Sequence, residues 1–199
     1  MIKNANLTYF CLTKYTMKNK LPWVGILCFL LIISRLIPHP PNFTATLACL
    51  VLGGVLLNLR IVFPLLMVSF WISDLAINNI LYVKENFIWF SSGFSYLLGI
   101  YFLIYILNRY LNIQANQSGS ITLSIIASST IFFILSNLVV WMNSSTYSSD
   151  WSGLMTCYLM AIPFYGNEVL GSLFYSILIW GAFWLSKHNS IFHAEMESK

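Results

Sequence analysis

Apolar runs long enough to cross a bilayer recur along almost the whole chain, and this feature alone restricts it to a membrane fold. A spanning helix needs about 20 consecutive apolar residues, with a working range of roughly 17 to 25. Five runs meet or nearly meet that length: 21–37, 61–77, 87–107, 121–141 and 167–185. A sixth, 44–57, has only 14 residues and lies between two turn signals, Pro40-Pro41 and Asn58. Hydrophobic residues make up 58% of the chain and charged residues 8%, against about 25% charged in a soluble domain. So few charges cannot screen an apolar core from water, and the natural solvent is lipid. Only helices and closed barrels satisfy their backbones there, and runs of this length belong to helices. The expected fold is an all-α transmembrane bundle.

The basic residues set its direction. Lys3, Lys14, Lys18 and Lys20 precede the first run, Arg60 and Arg109 sit in connections, and Lys187 and Lys199 follow the last run. The remaining connections hold only Lys84, which stands beside Glu85. If 44–57 crosses, every basic connection falls on one side, which the positive-inside rule makes cytoplasmic. The expectation is therefore six spans within 21–185, a cytoplasmic segment 1–20 and a cytoplasmic tail 186–199. The net charge of +4 is distributed as topology markers, so no nucleic-acid partner is expected.

One segment does not fit the scheme. "GLMTCYLMAIPFYG", 153–166, is apolar but too short to cross. Pro163 and Gly166 are expected to break any helix before the sixth span, leaving a lid or an interfacial helix on the outer side.

Polar residues collect at the outer ends of the spans. Arg35 lies one turn from the end of the first, and the stretch "SRLIPHPPNFT" then forms the connection. Prolines fix φ and lack a backbone donor, so this loop is stiff and presents His39 and Asn42. Asp74 ends the third run, with Trp71 before it and Asn78 a turn beyond. Asn137 ends the fifth, flanked at four-residue steps by Ser129, Phe133 and Trp141. Asn167 and Glu168 open the sixth.

An ionised side chain in mid-span costs about 2.5–3.5 kcal/mol on insertion scales. Arg35 and Asp74, at the same depth, are therefore expected to pair as a structural ion pair. Polar atoms converging at one end of an apolar bundle, with aromatics between them, describe a small-molecule pocket. The expected ligand contacts are His39, Asn42, Trp71, Asp74, Asn78, Phe133, Asn137, Trp141 and Asn167. Small residues at four-residue spacing (Ala45, Cys49 and Gly53; Ser91, Ser95 and Gly99; Ser124 and Ser128) read as helix-packing faces.

Catalysis finds little support. Cys11, Cys28, Cys49 and Cys157 show no CxxC spacing, and no H-E-x-x-H occurs. His39 falls outside and His188 and His193 inside, so they cannot share a site. No catalytic residue, metal or cofactor is expected. The chain also lacks the Gly-x-x-x-x-Gly-Lys-Ser/Thr loop that cradles nucleotide phosphates.

Four stretches, "RLIPHPPNFT", "FPLLMVSFWISDL", "FFILSNLVVW" and "GLMTCYLMAIPFYGNEVLGSLFY", together resemble a group of small bacterial multi-pass membrane proteins of unknown function. Its pattern is roughly R-x-x-P-H-P-P-N-F, a later S-D, an N-x-x-x-W and a P-F-x-x-N, matched here from about Ser34 to Trp184. More distantly, the architecture is similar to the S components of energy-coupling-factor (ECF) vitamin transporters. Those are six-helix proteins with both termini inside, and they bind ligand near the outer surface with the loops after spans 1, 3 and 5. Many carry A-x-x-x-A on the first helix for docking, whereas Gly25 and Cys28 here lie outside that pattern.

The resemblance implies a solute-binding subunit of an importer in a bacterial inner membrane. It would capture a small, vitamin-like molecule and need an ATPase or coupling-subunit module, or an ion gradient, for energy. The alternative is a scaffold or assembly subunit whose polar layer is structural.

Overall fold

The computed structural model describes residues 20–57, 60–82, 86–110 and 118–197. Most of segment 1–20, including Cys11 and three of its lysines, lies outside the described residues, as do Asn58, the Lys84–Glu85 pair and Lys199.

Six helices run through the described residues. Helix α1 covers 20–36. Helix α2, Thr46–Leu52, is prolonged by a π-helical turn, Gly53–Leu57. Helix α3, Val62–Ala76, is prolonged likewise by Ile77–Leu81. Helices α4, α5 and α6 are Phe94–Tyr110, Ser118–Asn143 and Trp151–Glu197. Three stretches, Val62–Leu81, Gly119–Asn143 and Trp151–Ser186, are long and apolar enough to cross a membrane. The molecule is an all-α, multi-pass membrane protein.

Helix α2 is the centre of the bundle. Every residue of Thr46–Leu52 is buried, and the helix packs against α3, α4, α5 and α6. A helix apolar on all sides is a core helix, which accounts for its short run: with protein on every face it need not match the lipid. The small residues Ala45 and Cys49 are buried here, as is Gly53. In contrast, Ser95 and Gly99 of α4 face outward.

Around α2 the other helices turn apolar side chains outward, among them Phe29, Val68, Phe102, Leu123 and Ile177. Helix α1 runs antiparallel to α2: Lys20 Nζ donates to the Leu57 carbonyl at one end (2.9 Å). At the other end the Ser34 hydroxyl donates to the Leu31 carbonyl and accepts the Ala45 N–H, each at 3.0 Å. That single hydroxyl bonds back within α1 and at the same time satisfies an orphan donor at the start of α2.

Two expectations about helix boundaries are corrected. The run 87–107 is not one helix, because Gly93 takes φ +87°, a left-handed conformation that helices exclude. Helix α4 starts after it. Residues 86–93 instead form an aromatic loop in which Phe87, Trp89 and Phe90 are exposed, as side chains of the membrane interface are.

Pro163 and Gly166 do not break α6, which runs unbroken from Trp151 with Pro163 inside it. So 153–166 is helical and continuous with the expected sixth span. Side-chain bonds to α5 hold α6 on either side of the proline. Tyr158 Oη donates to the Ile134 carbonyl at 2.7 Å, and the Thr130 and Tyr165 hydroxyls bond at 2.9 Å.

Candidate functional site

The loop between α1 and α2 is shaped by its prolines. The Phe43 N–H donates to the Pro40 carbonyl at 3.0 Å, closing a four-residue turn with Pro41 and Asn42 at its centre. Asn42 has φ +66°. Proline followed by a residue of positive φ is the type II arrangement, and asparagine tolerates that position better than most side chains. His39 Nδ1 donates to the same Pro40 carbonyl at 2.7 Å. Helix α6 then comes against the loop: a Cβ on Gly171 would stand 3.0 Å from Phe43 Cα, so any side chain there would push the loop by a few tenths of an ångström.

Helices α1 and α3 meet beside the loop. Arg35 Nη2 lies 3.4 Å from Asp74 Oδ1, with side chains 16% and 11% exposed. The guanidinium also sits over the Phe70 ring, 4.1 Å from its centroid. Asp74 Oδ2 accepts the Ser91 N–H at 3.4 Å, which ties the aromatic loop to the same carboxylate. Arg35 Nε is buried without a partner. The pair is long for a charge-assisted hydrogen bond, whose usual length is about 2.7–2.9 Å.

These groups border a cavity of about 660 Å³ at the end of the bundle away from Lys20, Arg60 and Arg109. Its volume lies within the usual range of small-molecule sites, about 300–1,000 Å³. Of the expected ligand contacts, His39, Asn42, Asp74 and Asn137 line it, together with Arg35 of the expected ion pair. Phe70, Tyr101, Phe132, Tyr147, Phe164, Cys157 and Glu168 complete much of the wall.

The other expected contacts lie elsewhere, and helical phase is the reason. A four-residue step overshoots a full turn by about 40°. On α5 the cavity face is Phe132, Ser136, Asn137 and Val140. Phe133 is rotated past it toward α6, against Tyr158 and Tyr165, and Trp141 Nε1 donates to the Ser148 carbonyl at 2.9 Å. On α3 the face is Phe70, Asp74 and Ile77. Trp71 turns instead to the aromatic loop, donating to the Trp89 carbonyl at 3.0 Å and stacking on Phe90. Asn78 donates to the Asp74 carbonyl at 2.9 Å and does not line the cavity.

On α6 the lining residues are Cys157, Met160, Ala161, Phe164 and Glu168, so Asn167 lies off that face. Its sequence neighbour Glu168 does line the cavity. It is 5% exposed, and its Oε1 accepts the Ser172 hydroxyl at 3.0 Å. It lies about 25 Å along α6 from Trp151, at 1.5 Å per residue. Sequence spacing alone treats 167 and 168 alike; the 100° between them decides which one meets the cavity.

Among the described residues, no three His, Cys, Asp or Glu side chains come together as metal ligands would. No curated protein and no solved structure matches the chain. A family of unknown function (DUF6580) matches residues 16–194, most of the length, and the chain belongs to that family.

Proposed function

We propose that this protein is the solute-binding membrane subunit of an importer, similar in role to the S component of an energy-coupling-factor transporter. It captures a small molecule from the side that the basic residues mark as outer, in a bacterial inner membrane. The observation that carries this reading is the convergence of polar side chains from α1, α3, α5, α6 and the 37–44 loop on one cavity of about 660 Å³. Such groups are expensive to hold within lipid-embedded helices. A ligand that bonds to them offsets that expense, and aromatic walls add dispersion and stacking. The sequence contains no phosphate-cradling loop, so uptake draws its energy from an ATPase or coupling subunit or from an ion gradient.

The Arg35–Asp74 pair favours a second reading, because it joins α1 to α3 without any ligand. A scaffold subunit with a structural polar layer would be built in the same way.

Native mass spectrometry of protein extracted gently from its own membrane separates the two. The importer reading expects a retained small molecule, and expects Asn137→Ala to lower cellular uptake of that molecule. A protein that carries only a stoichiometric partner, with no small molecule, would establish the scaffold.

A further inference from the structure

The carboxyl groups that line the cavity, Asp74 and Glu168, outnumber its one arginine, Arg35. Arg35 is held by Asp74, and this is the one ion pair among the described residues. Glu168 lines the same cavity, is 5% exposed and accepts a hydrogen bond from Ser172, but has no ion-pair partner among the described residues. An ionised carboxylate has roughly four acceptor positions over its two oxygens, and one hydroxyl leaves most of them open. His39 also lines the cavity, but its Nδ1 is committed to the Pro40 carbonyl of its own loop.

The aromatic wall points the same way. Ring faces carry negative potential and attract cations, and Phe70 already does this with the Arg35 guanidinium at 4.1 Å. Tyr101 and Phe132 line the wall as a parallel stack, centroids 5.5 Å apart and planes 5° from coplanar. An anionic ligand would find the opposite of what it needs. The one arginine of the lining already faces Asp74 and its Nε is buried in the wall, and the Glu168 carboxyl offers an anion no positive charge.

We infer that the cavity selects an organic cation, an amine, quaternary ammonium or cationic heterocycle, with Glu168 as its counter-charge. This rests on the solute-binding reading and specifies the ligand class. The cationic centre lies beside Glu168, deep along α6, and its apolar body lies against the aromatic wall. The mouth with His39, Asn42 and Asn137 bonds whatever polar end remains.

The test is equilibrium dialysis of the purified full-length protein against three probes of one shape: benzyltrimethylammonium, benzyl alcohol and benzoate. Retention is read above a protein-free micelle blank. Wild-type protein is expected to retain the cation in preference to the other two. Glu168→Gln, which keeps an acceptor for Ser172, is expected to weaken that retention about tenfold to a hundredfold, the loss of one close charge partner. If Glu168→Gln does not fold, the wild-type ranking of the three probes decides alone. Equal retention of the cation by Glu168→Gln, or retention of benzyl alcohol or benzoate at or above the cation, overturns the inference. Preference for benzyl alcohol or benzoate would leave the solute-binding reading standing. If none of the three is retained and gently extracted protein carries no small molecule, both readings fall.

Discussion

Arg35 and Asp74 face each other across the α1–α3 contact at 3.4 Å, and Phe70, one turn before Asp74, supplies the floor under the guanidinium. The arginine is thereby fixed in the cavity wall by an anion and an aromatic face at once. Its Nε makes no bond, so the pair is its chief electrostatic support. Removing one member of a mostly buried pair strands the other.

Asp74→Asn is therefore expected to destabilise the protein by about 2–3 kcal/mol, below the full range for buried pairs because the separation is long and the cavity admits water. Thermal unfolding in detergent measures it. The double variant Arg35→Met with Asp74→Asn should lose less than the sum of the two single variants, since neither charge is then left alone.

Gly171→Ala tests the close approach of α6 to the loop. The new Cβ would meet the Phe43 backbone at 3.0 Å, and backbone does not yield as a flexible side chain does. A loss of about 1–3 kcal/mol is expected. Solute retention should fall with it, because His39 and Asn42 ride on the displaced loop.

Phe132→Leu and Phe133→Leu, adjacent and chemically identical, separate cavity from packing. Phe132 lines the cavity, whereas Phe133 packs on Tyr158 and Tyr165. The first substitution should weaken solute retention. The second should lower the melting temperature while leaving retention near wild type.

Asp150 gives a pH dependence outside the membrane-spanning part. Its Oδ1 accepts the Gly153 N–H at 2.8 Å and the Ser148 hydroxyl at 2.7 Å, capping the start of α6. These bonds, the Gly153 N–H foremost, hold its carboxyl below the ordinary value. A depressed folded-state value means the cap is fully formed above the unfolded carboxylate value, near pH 4. It is lost as pH falls through the lower folded-state value. The Gly153 amide resonance, followed by NMR on acidification, should therefore move only below the usual carboxylate range. Asp150→Asn should abolish that movement.

Cys157 lines the cavity and is 2% exposed, with Sγ 3.6 Å from the Asn137 carbonyl oxygen. A retained solute should slow its alkylation in proportion to occupancy, while Cys49, buried in α2, stays unreactive throughout. Peptide mass spectrometry after iodoacetamide treatment reads both.

The sequence by itself determined the solvent, the helical class and the end of the bundle where polarity gathers. Those properties are sums over many residues: run length, charge count, and the placement of lysines and arginines between runs. It also singled out Arg35 with Asp74, and His39, Asn42 and Asn137, because depth along a span follows from counting. The tertiary structure decided azimuth. Phe132 rather than Phe133, Glu168 rather than Asn167, and Phe70 rather than Trp71 face the cavity, since neighbours in sequence differ by about 100° around a helix. Structure alone also carried α6 through Pro163, where bonds to α5 on both sides hold the helix that local propensity would break. Depth is a one-dimensional quantity and can be read along the chain, whereas facing depends on which helices are neighbours.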